Sequence, residues 1–335
     1  MESERRSFLG MVGGLAAAAV APAGCGGASV REESWRRFST RFLMPEGRVV
    51  DTGNRGISHS EGQGYGLLLA EAAGDRTAFN QMLDWTRRTL ERPDSGLLTW
   101  RYDPAEPASS ADPNNATDGD ILVAWALLRA HERWREPGYC HLSETLRAAI
   151  LREAVVQHGG LSLLLPGRQG FVHDDHVVVN PSYYVWPALD AFARREPLWT
   201  PYIDGGLDLL SRAAFGRWRL PTDWVALDRD GRAAPAPDRP PRFGYDAIRV
   251  PLYLTWSGRK AELQPFVDFW SAAWTDAPPA WIDVTTEAQA EYPLSGGGRR
   301  VAALVLGRPD PAESGQDDDY YSQTLGRLVE LSRQA

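Results

Sequence analysis

Apolar residues recur at helical spacing through most of the chain after its first thirty residues. Apolar side chains fall three and four positions apart in each segment, which is the spacing of one helix face. No sustained alternation of apolar and polar positions, the mark of a strand series, accompanies them. The pattern predicts an all-α protein, with helices over 32–43, 62–73, 77–91, 119–135, 144–158, 182–195, 201–214, 244–256, 260–274, 299–307 and 318–333, a number compatible with twelve helices.

Two of the connections between these segments, 93–118 and 215–243, are long. Long loops inside a compact domain often carry function. The second connection contains a Pro-rich piece, 233–241, which is either such a loop or a linker between domains. The helical segments on its two sides are alike in character, so we predict one domain over 31–335, preceded by an export signal and short tether over 1–30.

The first residues have the pattern of an export signal. Arg5-Arg6-Ser7-Phe8-Leu9 precedes a short apolar run, 11–20, and the paired arginines resemble a twin-arginine signal, which implies export after folding. The signal could end in either of two ways. Ala21-Pro22-Ala23 offers a cleavage site of small residues, whereas Ala23-Gly24-Cys25 resembles the end of a lipobox, which would leave Cys25 acylated and the protein tethered to a membrane.

Charge and cysteine content narrow the classes of partner. The formal net charge of −8 argues against nucleic acid or an anionic membrane surface as the main partner and favours a neutral substrate. The two cysteines, Cys25 and Cys140, allow at most one disulfide. The 13 Trp and 11 Tyr side chains can fill a core or offer flat apolar faces to a ligand.

The stretch Ser60-Glu61-Gly62-Gln63-Gly64-Tyr65-Gly66 opens the second predicted helix with one carboxylate and three glycines. Each glycine costs roughly 0.5–1 kcal/mol relative to alanine inside a helix. Helix stability therefore does not explain them. We interpret the glycines as a place where a ligand approaches the backbone beside Glu61.

Two carboxylates, Asp118 and Asp120, stand at the start of the helix predicted within 116–134. Capping of free backbone N–H groups at the helix start is one explanation for both side chains, and for Asp120 it is as good as any other. Asp118 comes one step earlier, at the junction of loop and helix. A side chain there can project from the end of a helical bundle, which is where a binding site would form.

A third element, Phe243-Gly244-Tyr245-Asp246-Ala247-Ile248-Arg249-Val250-Pro251, follows the long loop directly. Asp246 and Arg249 are three residues apart and can face the same way on a helix. An ordinary surface ion pair, worth under about 1 kcal/mol, would explain them. Pro251 instead indicates a helix whose first turn is irregular.

Together with Asn180-Pro181-Ser182-Tyr183-Tyr184, these three elements resemble, in content and in order, the pattern of the family 8 glycoside hydrolases. The resemblance runs from about residue 32 to residue 333 and departs mainly at Val123, where the family usually has Ile or Met. Within the family, the chain is most similar to the secreted endoglucanase that accompanies bacterial cellulose synthesis.

The resemblance implies an (α/α)6 barrel whose open cleft holds a β-1,4-glucan chain, and hydrolysis with inversion. Glu61 would be the acid and Asp246 the base, placed about 6.5–9.5 Å apart as inversion requires. Asp118 would be the carboxylate that raises the pKa of the acid and holds hydroxyls of the distorted sugar. Arg249 and Tyr183 would position the water or the base.

Trp100 is either a core residue or a ring that stacks on a sugar, and we name it as substrate-binding. Other polymers remain open as substrates, namely chitosan, xylan and mixed-linkage glucan. A glycan-binding component of a secretion assembly, without catalysis, is the alternative from another class. The resemblance also suggests association with a cellulose synthesis complex.

Two further clusters of polar residues could suggest a metal. His173-Asp174-Asp175-His176 lacks a helical spacing of its histidines and a cysteine partner, so we interpret it as a solvated or cleft-edge loop. Asp317-Asp318-Asp319 precedes the last predicted helix, where acidic residues complement the helix dipole. We assign no metal and no cofactor.

Overall fold

The computed structural model describes residues 26–106, 112, 114–273, 278–311 and 319–334, and most of the regular structure in them is helical. Eleven α-helices occur there, and each overlaps one of the predicted segments. They are α1 (Gly26–Phe42), α2 (Ser60–Ala73), α3 (Arg76–Thr89), α4 (Thr117–Trp134), α5 (Pro137–Glu153), α6 (Trp186–Ala193), α7 (Thr200–Arg212), α8 (Arg249–Trp256), α9 (Gln264–Ala273), α10 (Gly296–Val305) and α11 (Tyr320–Ser332).

Six of these helices form a closed inner ring. Along the ring α2 packs on α4, α4 on α6, α6 on α8, α8 on α10, α10 on α11, and α11 packs back on α2. The helices α1, α3, α5, α7 and α9 lie outside and cover the inner ones. Inner and outer helices therefore alternate from α1 to α10, which is the arrangement of the predicted (α/α)6 barrel.

A continuous apolar core fills the space between the two rings of helices. Its largest side chains include Trp186, Trp199 and Trp270, each at most 1 % exposed. A part of the tryptophan content is thus explained by packing. None of the helices in the described ranges combines the length and apolar content needed to cross a bilayer.

Short strands occur in the connections between helices, and the sequence pattern did not predict them. Within the described residues they form four small antiparallel sheets, composed of β1 (Ser58–His59) and β2 (Arg101–Tyr102), β3 (Val155–His158) and β4 (Leu161–Leu164), β5 (His176–Val179), β6 (Val225–Asp228) and β7 (Ala233–Pro235), and β8 (Arg242–Phe243) and β9 (Ile282–Asp283). Strands of two to four residues are too short to show an alternating pattern. The predicted helix over 144–158 was therefore placed too late, since its last four residues form β3 and the helix begins at Pro137.

The Pro-rich piece after β6 pairs with that strand and contacts the residue before it. Its first residues form β7, in which Ala233 pairs with Leu227 and Pro235 with Val225. Further along, the Arg239 guanidinium lies 4.9 Å from the centre of the Trp224 ring. These contacts are local to the hairpin, and the single domain over 31–335 stays a prediction.

The three glycines at the start of α2 are explained by neighbouring helices. A Cβ atom at Gly64 would lie 2.5 Å from Leu122 Cβ on α4, and one at Gly66 would lie 2.8 Å from a methionine sulfur on α3. A Cβ atom at Gly62 would lie 2.7 Å from the Tyr320 hydroxyl on α11. The close approach that the sequence indicated is real, but the expectation that a ligand makes it was wrong.

We expect Gly64→Ala to lower the free energy of unfolding by about 1–3 kcal/mol, because the methyl group would push α2 away from α4. The matched control is Gly138→Ala in α5, where an added Cβ atom would lie 3.8 Å from Glu136 Oε1, an ordinary van der Waals distance. There the gain in helix propensity should leave stability unchanged or raise it by up to about 1 kcal/mol. Urea denaturation measures both, and equal stability of the two variants would contradict the packing argument.

The N-terminal ends of several inner helices meet at one end of the ring. The first residue of α8, Arg249, bonds to Glu61 in the first turn of α2 and to Asp118 in the first turn of α4. Helix N-termini carry partial positive charge and favour nearby carboxylates. This end of the ring is therefore suited to hold a cluster of acidic side chains.

Candidate active site

Glu61 is fixed by the local structure on both sides of its backbone. His59 is the N-cap of α2, and its Nδ1 atom accepts a hydrogen bond from the Gly62 N–H at 2.9 Å. The Ser60 N–H donates to the Trp100 carbonyl at 3.0 Å, next to the β1–β2 pair. The Glu61 side chain is 22 % exposed, so it is held in place yet remains accessible.

Tyr65, one helical turn after Glu61, links the acid to the neighbouring helix. Its hydroxyl donates to Glu61 Oε1 at 2.7 Å and lies 3.1 Å from the Tyr253 hydroxyl on α8. The sequence motif contained Tyr65, but nothing in the pattern indicated this role. The contact fixes one oxygen of Glu61.

Arg249 is the centre of the site, and its side chain is only 2 % exposed. Nη1 donates to Glu61 and, at 3.0 Å, to Asp118 Oδ2, while Nη2 donates to Asp246 Oδ1 at 2.8 Å. Nη2 also donates to Ser182 Oγ at 2.9 Å. The structure therefore brings together the predicted acid, the predicted base, the auxiliary carboxylate and the arginine.

The electrostatics of this cluster favour the uptake of protons. Burial, and next the charge of Asp246, raise the pKa of Asp118 well above its usual range. Burial, and next the charge of Asp223, raise the pKa of Asp246 to about 7. Because one guanidinium cannot neutralise three carboxylates, a protonated carboxyl and an ionised carboxylate can coexist in the site near neutral pH.

Asp120 serves the loops beside the site and does not cap α4. Its Oδ1 atom accepts from the Leu98 N–H at 2.9 Å, and its Oδ2 atom accepts from Asn115 Nδ2 at 2.7 Å. Burial raises the pKa of Asp120 to about 7. The N-cap position of α4 is taken by Ala116, whose methyl group cannot accept a hydrogen bond, so the capping explanation for Asp120 was wrong.

The two rings predicted to bind substrate, Trp100 and Tyr183, contact residues of the site or its neighbours. Trp100 is half-buried outside the core, and its indole N–H donates to Asp112 Oδ2 at 2.7 Å. Tyr183 is also half-buried, with its ring centre 5.8 Å from the Arg249 guanidinium carbon. The Trp224 ring meets Tyr183 edge-on at 6.2 Å. Accessible rings of this kind can stack on sugar faces.

Several residues of the site were missed by sequence reasoning. Asp223 accepts hydrogen bonds from the turn that carries Asp246, and Trp224 stacks on Phe171 with ring centres 5.9 Å apart. Both lie in the long connection 215–243, where no periodicity or motif singled out one position. The length of that loop was the one available signal.

The two polar clusters to which we assigned no metal make contacts within their own segments of the chain. The His173 and His176 rings stack at 4.5 Å, and His176 Nδ1 lies 2.7 Å from Asp175 Oδ1. Asp319 caps α11 by accepting from the Ser322 N–H at 2.8 Å. Residues 317 and 318, the predicted export signal and Cys25 lie outside the described residues.

Comparisons with known proteins give a consistent result. The profile of Glycosyl hydrolases family 8 matches residues 11–335. An endoglucanase of Cellulomonas uda is 44% identical over 285 residues, which are 83% of this chain and 78% of that protein.

Solved structures agree with the profile. The endoglucanase Cel10 of Klebsiella pneumoniae, a family 8 glycosyl hydrolase, is 44% identical and superposes with a TM-score of 0.88 over 90% of this chain and 99% of that one. The endo-beta-1,4-glucanase CMCax of Acetobacter xylinum is 39% identical, with a TM-score of 0.87 over 92% and 98% of the two chains.

Proposed function

Because this chain belongs to glycosyl hydrolase family 8, we propose that it is an inverting endo-β-1,4-glucanase that hydrolyses internal bonds of cellulose or of soluble β-1,4-glucan. The observation that carries the proposal is the placement of two accessible carboxylates, Glu61 and Asp246, on different nitrogens of one buried guanidinium. The relatives described above are endoglucanases, which agrees with this substrate.

In the proposed reaction the two carboxyl groups move one proton each. Glu61, in its protonated form, gives its proton to the glycosidic oxygen as the bond from that oxygen to the anomeric carbon breaks. Asp246, in its ionised form, takes a proton from a water that attacks the same carbon from the opposite face. The new C–O bond has inverted configuration, and each cycle ends with the proton on Asp246 and Glu61 ionised.

Arg249 and Asp118 set the geometry and the charge for this exchange. Arg249 fixes the distance between acid and base because its two terminal nitrogens bind them separately. Asp118 adds a third carboxyl group beside the acid, because both accept from the same nitrogen of Arg249. Its remaining hydrogen-bonding capacity would accept from hydroxyls of the bound sugar.

Trp100 and Tyr183 would hold the glucan chain. Both rings are partly accessible. The Trp100 carbonyl accepts from the N–H of Ser60, which precedes Glu61, and the Tyr183 ring lies beside the Arg249 guanidinium. Apolar faces of glucose units can stack on such rings while the equatorial hydroxyls reach polar side chains. A neutral polymer also suits the acidic chain, whereas cationic chitosan is the polymer that charge alone would favour.

The test is a reducing-sugar assay of the purified protein on carboxymethylcellulose, mixed-linkage glucan, xylan and chitosan in parallel. We expect the fastest cleavage of carboxymethylcellulose, with a rapid fall in viscosity because internal bonds are cut. NMR of the first products should show the α-anomer, as inversion requires. Preference for chitosan, xylan or mixed-linkage glucan would replace the substrate and keep the mechanism. Binding without cleavage of any polymer would favour the glycan-binding component instead.

We also propose that the protein is exported to the periplasm or beyond and works beside bacterial cellulose synthesis. Support comes from the paired arginines Arg5 and Arg6, the apolar run after them and the resemblance described above. Cleavage after Ala23 would release the enzyme, and acylation of Cys25 would tether it. The intact mass of the protein recovered from cells distinguishes these forms, and an uncleaved cytoplasmic protein would contradict export. Unchanged cellulose output in cells that lack the protein would contradict the link to synthesis.

A further inference from the structure

The residues just before α8, which carry Asp246, form an irregular turn held by a single carboxylate. Asp223 Oδ1 accepts hydrogen bonds from three backbone N–H groups of this turn. The donors are Gly244 at 3.2 Å, Asp246 at 3.0 Å and Ala247 at 2.7 Å. The backbone of the predicted base is thus fixed by a side chain from another part of the chain.

Asp223 is itself held in place. Its N–H donates to the Arg242 carbonyl at 2.8 Å, so Asp223 is joined to the strand that leads into the turn. On the other side of the turn, the Tyr321 hydroxyl donates to the Tyr245 carbonyl at 2.8 Å. The position of Asp246 is therefore determined by contacts from two directions, one of which brings a second carboxylate close to it.

We propose that Asp223 is a positioning residue for the hydrolysis, which fixes the turn that carries Asp246 and keeps Asp246 basic through its own negative charge. The inference rests on the proposed function, in which Asp246 takes a proton from water. A neutral oxygen could also accept hydrogen bonds from these N–H groups, although more weakly. A carboxylate adds charge repulsion, which makes the neighbouring carboxylate a stronger base.

Other charged and polar groups also face Asp246. Arg249 Nη2 donates to Oδ1 at 2.8 Å, and Asn180 Nδ2 donates to Oδ2 at 3.2 Å. Arg239 lowers the pKa of Asp246, whereas Asp223 raises it and is second only to burial in doing so. Among the described residues, Asp118, Tyr183, Tyr245 and Tyr321 also interact electrostatically with Asp246.

The decisive variant is Asp223→Asn, which keeps an oxygen for the three N–H groups and removes the charge. Because the active base is ionised, activity falls as pH decreases through the pKa of Asp246. Loss of the charge of Asp223 should lower that pKa, so the acid limb of kcat/KM should move to lower pH by about one unit. The plateau value of kcat should fall by about tenfold, since Asp246 becomes a weaker base.

The control is Asp228→Asn in the β6–β7 hairpin. The Asp228 carboxylate also accepts a backbone hydrogen bond, from the Arg232 N–H at 2.8 Å, and the substitution turns it into an amide. Its pH profile should coincide with that of the unchanged protein. If Asp223→Asn does not fold, Asp223→Ser carries the same expectation, because its hydroxyl is a neutral acceptor. An acid limb that stays in place in the folded variant overturns the role of Asp223 while the proposed function stands. An unchanged protein that cuts no glucan overturns both.

Discussion

Replacing Glu61 with glutamine should lower kcat on soluble β-1,4-glucan by about 10³-fold or more and change KM little. Glutamine has nearly the same shape, and its oxygen can still accept from Tyr65 and Arg249, which both donate to Oε1 in the structure. It has no proton to give to the leaving oxygen. The step that loses its proton donor is the cleavage itself, so the effect should fall on kcat and not on binding.

The matched control is Glu71→Gln, further along the same helix. Glu71 pairs with Arg129 at 2.6 Å and with Arg133 at 3.8 Å, away from the carboxylate cluster. That variant should lose stability and keep kcat within about twofold. Steady-state kinetics, calorimetric binding of a cello-oligosaccharide and thermal unfolding distinguish the two. Cleavage by Glu61→Gln within tenfold of the unchanged protein would rule out Glu61 as the acid.

Replacing Arg249 with methionine should lower both the free energy of unfolding and the rate of the reaction. Three carboxylates, Glu61, Asp118 and Asp246, would lose their shared cation in a largely buried site. Removing one partner of a buried ion pair typically costs 3–5 kcal/mol, so we expect a loss of about that size in the free energy of unfolding near neutral pH. The value of kcat should fall by at least about 10²-fold, because acid and base lose their common anchor.

The loss of stability in Arg249→Met should depend on pH in a definite direction. Burial, and next the charge of a neighbouring aspartate, raise the pKa of Asp118 and of Asp246 in the folded state above that of the unfolded chain. Protonation then favours the folded state, so the variant should be most stable at low pH and lose stability as pH rises through about 7. Urea denaturation at pH 5 and pH 8 measures this difference.

Arg259→Met is the control for the arginine. Arg259 donates to both oxygens of Asp190, at 2.6 and 2.7 Å, so this pair has one carboxylate for one guanidinium. We expect a smaller loss of stability there and little change in kcat. If the two variants lost equal stability with the same dependence on pH, the carboxylate cluster would not be what Arg249 stabilises.

The sequence was informative where one short segment carries both the structure and the chemistry. Glu61 and Asp118 each stand in the first turn of an inner helix, where helical periodicity begins and a motif could be recognised. The eleven helices were predictable for the same reason, since each carries its own apolar face. Packing of an amphipathic helix is encoded locally.

What the sequence did not reveal depends on contacts between distant segments. Asp223 is 23 residues from Asp246, and the bond between them follows from the path of a loop. The glycines of α2 face side chains of other helices, which no pattern within α2 can identify. Strands such as β1 and β8 exist because a partner strand lies beside them, not because of their two residues.

Closure of the helical ring has a consequence for how the protein reaches its native state. The contacts of Arg249 join residues 131 and 188 positions apart, and Ser34 Oγ on α1 donates to Glu330 Oε2 on α11 at 2.5 Å. Contacts of such high sequence separation form slowly, because long loops must close before they contribute. A ribosome must therefore release nearly the whole chain before α11 can complete the ring. Such late assembly suits a translocation route that carries folded proteins, which is the route predicted from Arg5 and Arg6.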